Sequence, residues 1–136
     1  MVTNMGNMFS GCTSLTSLDV SGFDTGKVTS MVYTFYDCRS LTSLDLSGFD
    51  TGEVTIMNNM FYGCSNLISL DSMQNISANL DLSKTVLNVT SLLDVIDNLA
   101  TFQNQSFRTL TLGSTLLAKL SEDQIAIATN KGWTVV

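Results

Sequence analysis

The apolar positions of this chain recur at a fixed interval over its first half. Met5, Met31 and Met57 stand 26 residues apart, as do Phe9, Phe35 and Phe61, then Cys12, Cys38 and Cys64, then Leu15, Leu41 and Leu67, then Leu18, Leu44 and Leu70. Residues 5–30 and 31–56 share 17 identities in 26 positions without a gap. A period of this length with regularly placed leucines predicts stacked units that each bring one strand and one helical or turn segment.

Within a copy two periodicities alternate. Met31, Phe35 and Cys38 fall at i, i+4 and i+7, as do Met57, Phe61 and Cys64, which predicts one face of a short helix, with Thr3, Thr29 and Thr55 as N-caps. Ser17, Leu18, Asp19, Val20 and Ser21, and their counterparts Ser43, Leu44, Asp45, Leu46 and Ser47, alternate polar and apolar, which predicts a strand with its aliphatics inward. Gly22 and Gly26 then turn the chain into the next copy.

The period fails after Asp71, where Ser72 and Asn75 replace the aliphatic and the phenylalanine of the earlier copies. Leu80, Asp81 and Leu82 repeat the strand pattern, and Leu110, Thr111 and Leu112 repeat it 30 residues later. Each predicts a following helix. Ser91 with Asp94 resembles a capping box before Leu92, Leu93, Val95 and Ile96, while Ser121 with Gln124 forms one outright, and Lys131 with Gly132 closes that second helix. Residues 133–136 predict a last strand, with Trp133 as an apolar lid. The fold class expected is α/β: a right-handed solenoid with a short parallel strand ladder on one side and short helices on the other. Residues 1–73 form about three repeats, and residues 74–136 the C-terminal leucine-rich units and cap, packed as one continuous domain. How the strands around residues 70 and 80 pair is left open by the pattern.

Composition narrows the function. The 136 residues carry no histidine and no proline, and 44% are hydrophobic against 13% charged, with a net charge of −6. Without histidine no Ser-His or Cys-His nucleophile and no His-ligated metal can be assembled. Six basic residues and a pI near 4.1 argue against nucleic acid as a partner. No apolar run approaches the roughly 20 residues of a membrane span. Serine and threonine, 17 of each, supply the polarity that charge does not.

The residues 28–31 (Val-Thr-Ser-Met) and the run from Phe35 through Cys38, Leu41, Leu44, Asp45, Leu46 and Phe49 to Thr51 resemble the repeat of the BspA-like leucine-rich surface proteins of bacteria, over residues 2–71. Residues 110–120 and 125–133 resemble the terminal unit of such arrays. The resemblance implies a secreted or cell-surface protein, with adhesion to proteins or glycans of host or neighbouring cells, and brings no active site, metal or cofactor. Val2, Thr3 and Asn4 match Val28, Thr29 and Ser30, so the array starts within a repeat. A piece of a longer protein is therefore expected, with an uncapped apolar N-terminal edge open to self-association.

The repeat bears on each candidate residue. Asp24, Thr25, Gly26 and Asp50, Thr51, Gly52 mimic the aspartic-protease triplet, but they are one repeat position on successive copies and read as turn aspartates capping local amides. Cys12, Cys38 and Cys64 read as a buried thiol column, with an inter-copy disulfide or a metal as alternatives. Ser17, Asp19, Ser43, Asp45, Ser69 and Asp71, joined by Asp81, are expected to line the open strand face as an acidic column, solvated or bridged by weak calcium. Removing its charge is expected to stabilise the protein. Tyr36 and Tyr62 share one repeat position and form a candidate aromatic contact. The expected function is a non-enzymatic interaction module, the alternative a spacer or capping segment without a ligand of its own.

Overall fold

A computed structural model describes residues 1–104 and 107–136. It is a mixed α/β arrangement of short parallel strands in two small open sheets with a few short helices. β1 (Ser43–Asp45) pairs in parallel with β2 (Ser69–Asp71), Leu44 opposite Leu70, at the repeat spacing. β3 (Leu80–Asp81), β4 (Thr109–Thr111) and β5 (Thr134–Val135) form the second sheet in that order, also parallel. One apolar core runs through both halves, from Met5 to Trp133.

The expected helices of the repeats are absent, and a ribbon of turns replaces them. Residues 31–38 contain turn bonds from Tyr36 N–H to Tyr33 O and from Cys38 N–H to Phe35 O, while the amides between them leave the copy altogether. Met31, Tyr33, Phe35 and Asp37 donate to the carbonyls of Ile56, Asn58, Met60 and Tyr62 at 2.7–3.1 Å. Met5, Asn7, Phe9 and Gly11 donate in the same way to Ser30, Val32, Thr34 and Tyr36. Left-handed backbone recurs every fourth residue, at Asn7 and Gly11, Tyr33 and Asp37, Asn59 and Gly63, which no α-helix tolerates. Two successive four-residue turns return a side chain to the same face as i, i+4 and i+7 do, so Met31, Phe35 and Cys38 are buried as the spacing requires but without a helix. The threonines are accordingly not N-caps. Thr29 and Thr55 hydroxyls donate to the carbonyls of Thr3 and Thr29, one copy back.

Aromatic side chains at repeat positions lie against one another from copy to copy. Phe9, Phe35 and Phe61 lie nearly parallel with centroids 5.5 and 5.8 Å apart, and Phe23 stacks on Phe49 at 6.2 Å. Phe35 and Phe61 are fully buried, whereas Phe9, Cys12 and Leu18 of the first copy are only partly covered. Residues 17–21, expected as the first strand, form none: no ladder bond joins them to β1 among the described residues, and a cavity of 160 Å³ is lined from both sides by Leu18, Asp19, Asp45 and Phe49.

The second half differs from expectation at its first helix. α1 (Val89–Asp97) is capped by Asn88, whose side chain accepts from Ser91 N–H, and not by Ser91 and Asp94. Those two side chains point back at β2. Ser91 Oγ accepts from Leu70 N–H and Asp94 Oδ2 from Ser72 N–H, at 2.9 and 2.7 Å. A helix offers no free backbone acceptors along its flank, so residues at i and i+3 supply them and close the strand edge. α1 thus covers the end of the first sheet, and β3 starts a second one; strands β2 and β3 do not pair.

At the C-terminal end the expected capping box, closing glycine and last strand are present. α3 (Glu122–Asn130) begins with the Ser121 and Gln124 capping box and ends at Lys131, followed by Gly132 at φ 89°. Lys131 does more than close its own helix, since its Nζ donates to the carbonyls of Ile96, Asp97 and Leu99 at the end of α1. Trp133 is buried beside Phe102, its Nε1 donating to Ala100 O. A short helix α2 (Gly113–Leu117) was not expected; five residues opening on a glycine carry too little periodicity to announce themselves.

Candidate functional site

The acidic column is shorter and better anchored than the alternation implies. Each of Asp19 and Asp45 uses its Oδ1 to accept from both the amide and the hydroxyl of the serine two residues on, Ser21 and Ser47, at 2.6–3.0 Å. These bonds hold the Asp19 and Asp45 carboxyls below the ordinary 3.8, and the repulsion of Asp19 on Asp45 is the smallest of the influences on Asp45. Ser17, Ser43, Asp71 and the carboxylates are exposed and Ser69 partly so. Asp81 does not join them. It lies on β3 in the other sheet, lining a pocket with Asn58, Asn59 and Thr111, because β3 pairs with β4 and not with β2. No group of three or more acidic, cysteine or histidine side chains suited to a metal is found among the described residues.

The sign of the charge-removal expectation therefore reverses. Asp45→Ala is expected to lower the melting temperature at pH 7, because it deletes the acceptor of two turn bonds, while Asp45→Asn keeps an acceptor and loses less. Since the folded carboxyls of Asp19, Asp45 and Asp50 lie below 3.8, the stability they lend is present above about pH 4 and disappears as pH falls through their depressed values. A thermal melt series from pH 6 to pH 2 on the parent and on Asp45→Ala checks this; the two curves should converge at the acid end.

Asp24 and Asp50 behave as turn aspartates. Asp24 Oδ1 accepts from Gly26 N–H, and Asp50 Oδ1 from Gly52 N–H and from Asn75 Nδ2, which keeps the Asp50 carboxyl low. The threonine of each triplet is buried: Thr25 Oγ1 donates to Asp50 O, and Thr51 Oγ1 to Gln74 O, so these residues join one copy to the next.

All three cysteines are free thiols, Cys38 and Cys64 buried and Cys12 partly so. The sulfhydryls of Cys38 and Cys64 donate to Phe9 O and Phe35 O, and burial pushes the two thiols up to about 11 and about 12. Thiolate is the reactive form. Iodoacetamide at pH 8 is therefore expected to label Cys12 first under native conditions, with Cys38 and Cys64 labelled only on denaturation, as read by peptide mass.

The tyrosines form a continuous aromatic group. Tyr36 stacks on Tyr62 with centroids 5.4 Å apart and planes 8° from parallel, and Tyr33 meets Tyr36 edge-on at 5.3 Å. Tyr33 and Tyr62 are 36% and 44% exposed, so the group is ordered by its own contacts yet faces solvent. Beside it Asp37 and Arg39 form a two-bond ion pair, at 2.8 and 2.9 Å. Tyr62, Asp37, Arg39, Gly63, Ser65 and Lys84 border a shallow pocket of 360 Å³. The repeat makes Tyr36 and Tyr62 findable, whereas Arg39 replaces Thr13 and Ser65 at its repeat position and Lys84 lies beyond the repeats, so the periodicity announces neither.

No helix is long and apolar enough to cross a membrane among the described residues. No curated protein and no solved structure gives a significant match to the chain. A family model described as "Mycoplasma protein of unknown function, DUF285" matches residues 1–105, which takes in all three repeat copies, the tyrosine group and α1. The chain belongs to that family, DUF285.

Proposed function

We propose that the chain is a leucine-rich-repeat-like solenoid of the BspA-like kind, and that it serves as a non-enzymatic, adhesion-type interaction module on the surface of a cell or secreted from it. The solenoid reading is supported by columns of phenylalanine, cysteine and tyrosine at 26-residue spacing and by the amide-to-carbonyl bonds that link each copy to the next. The observation that carries the binding role is the pre-ordered stack of half-buried Tyr36 on exposed Tyr62. Aromatic rings fixed before binding lose little conformational freedom on contact, which is what makes tyrosine a frequent anchor in recognition surfaces.

Binding of the chain to immobilised matrix proteins and glycans tests this. The double variant Tyr36→Ser, Tyr62→Ser is expected to weaken any such binding by about tenfold or more, in line with loss of an aromatic anchor. A spacer role is favoured by one observation: the Asp19 and Asp45 carboxylates are already occupied by their own turn serines. A parent chain that binds no surface in this assay would support the spacer and overturn the adhesion reading.

A further inference from the structure

Three of the six basic side chains are committed to main-chain carbonyls: Arg108 to Ser77 O, Lys119 to Leu87 O, and Lys131 to the end of α1. Of the other three, Arg39 and Lys84 border the same pocket, beside Tyr62. Asp37 stands on the same border and pairs with Arg39, which leaves Lys84 as the cation not balanced by a carboxylate there, in a chain of net charge −6.

The backbone adds a donor at the same place. In the first copy Gly11 N–H donates to Tyr36 O, and in the second Asp37 N–H donates to Tyr62 O. Gly63 is the next in this series and borders the pocket, and no acceptor for its N–H is found among the described residues. Where a fourth copy would place a carbonyl oxygen, the structure presents an open pocket with Lys84 at its border. The tyrosine column also ends here, Tyr62 having a ring partner in Tyr36 while its remaining surface borders the pocket.

We propose that this pocket binds a sugar ring bearing a carboxylate, a uronic or sialic acid unit of a glycan. The carboxylate takes the place of the missing carbonyl, against Gly63 N–H and the Lys84 ammonium. Arg39, held by its two bonds to Asp37, keeps further N–H donors for the same anion. The pyranose face lies along Tyr62, and Ser65 and the Asp37 carboxylate are at hand for hydroxyls. A volume of 360 Å³ lies at the small end of the 300–1,000 Å³ usual for ligand sites, which suits one or two sugar rings. This assignment rests on the adhesion reading and specifies its ligand class.

The test is an NMR titration of the full chain with glucuronic acid and N-acetylneuraminic acid, against glucose and sodium acetate as the neutral-ring and ringless controls. At least one acidic sugar is expected to shift the Tyr62 ring and Gly63 amide signals saturably, with glucose and acetate at least about tenfold weaker, and Lys84→Gln is expected to reduce the affinity about tenfold while Lys27→Gln leaves it unchanged. No saturable shift at Tyr62 and Gly63 with either acid overturns the proposal. An equal response to acetate, or to glucose, or an affinity untouched by Lys84→Gln, overturns it too. Adhesion to a protein surface that persists while the acidic sugars fail removes only this ligand class and leaves the adhesion reading standing.

Discussion

Phe35→Ala is expected to cost about 3–5 kcal/mol of unfolding free energy, the usual range for emptying a fully buried phenylalanine site. Phe35 is 0% exposed and stacks on Phe9 at 5.5 Å and on Phe61 at 5.8 Å, so truncation removes two ring contacts as well as the buried area of its own side chain. The cavity left in the middle of a column has no surface to collapse from. Phe9, at the outer end of the same column, also meets two rings, Phe35 and Phe23 at 6.3 Å, but is only partly buried, so Phe9→Ala should lose clearly less. Urea denaturation of the two variants decides the point. Equal losses would overturn the expectation that the buried middle of the column is worth more than its partly exposed end.

Gly63→Val is expected to be nearly as damaging for a different reason. Gly63 sits at φ +80°, where a side chain costs roughly 1–2 kcal/mol. A Cβ there would also stand 2.9 Å from Asp37 Cα and 2.5 Å from Asp37 Oδ1. The nearest backbone cannot yield without stretching the bond from Asp37 N–H to Tyr62 O that joins the two copies. Overpacking of this kind adds about 1–3 kcal/mol, for a total of about 2–5 kcal/mol. Gly11 provides the internal control, since it has φ +77° and nothing within 4 Å of a built Cβ. Gly11→Val should show the backbone cost alone, and the difference between the two melting curves measures the close approach of neighbouring copies at Gly63.

The two glycines also mark what could and could not be read from the chain before its structure was known. The 26-residue register was plain, and β1 and β2 pair in it, Ser43 opposite Ser69 and Asp45 opposite Asp71. The turn ribbon was not plain, because a spacing of i, i+4 and i+7 is common to a helix and to consecutive four-residue turns. A signal was present in Asn7 and Asn59, and in Gly11 and Gly63, which are residue types that accept left-handed backbone, but the middle copy hides it behind Tyr33 and Asp37. Asp81 was misplaced because Leu80, Asp81 and Leu82 reproduce the strand pattern while pairing with another strand altogether. Local alternation reports which face is buried and says nothing about the partner. Ser91 and Asp94 serve strand-edge amides and not those of the helix start for a similar reason, their spacing suiting both. Of the candidate site, the repeat exposed Tyr36 and Tyr62, while Lys84 enters only because the chain folds back beside Tyr62 after the repeats have ended.

The turn ribbon has an electrical consequence. In the peptide units ahead of Met31, Tyr33, Phe35 and Asp37 the N–H groups point toward the third copy and the carbonyls toward the first, and the units of the first copy are oriented alike. Their dipoles add along the stacking axis as those of an α-helix do along its own, with a carbonyl-rich pole at the N-terminal copy and an amide-rich pole beyond Gly63. Two such molecules brought together at their N-terminal faces would set carbonyl against carbonyl. Any backbone-bonded growth of the stack at that face is vectorial, an amide-rich pole meeting a carbonyl-rich one, and a symmetric pair joined there would have to be held by the side chains of Met1, Val2, Met8 and Phe23 without the help of the main chain.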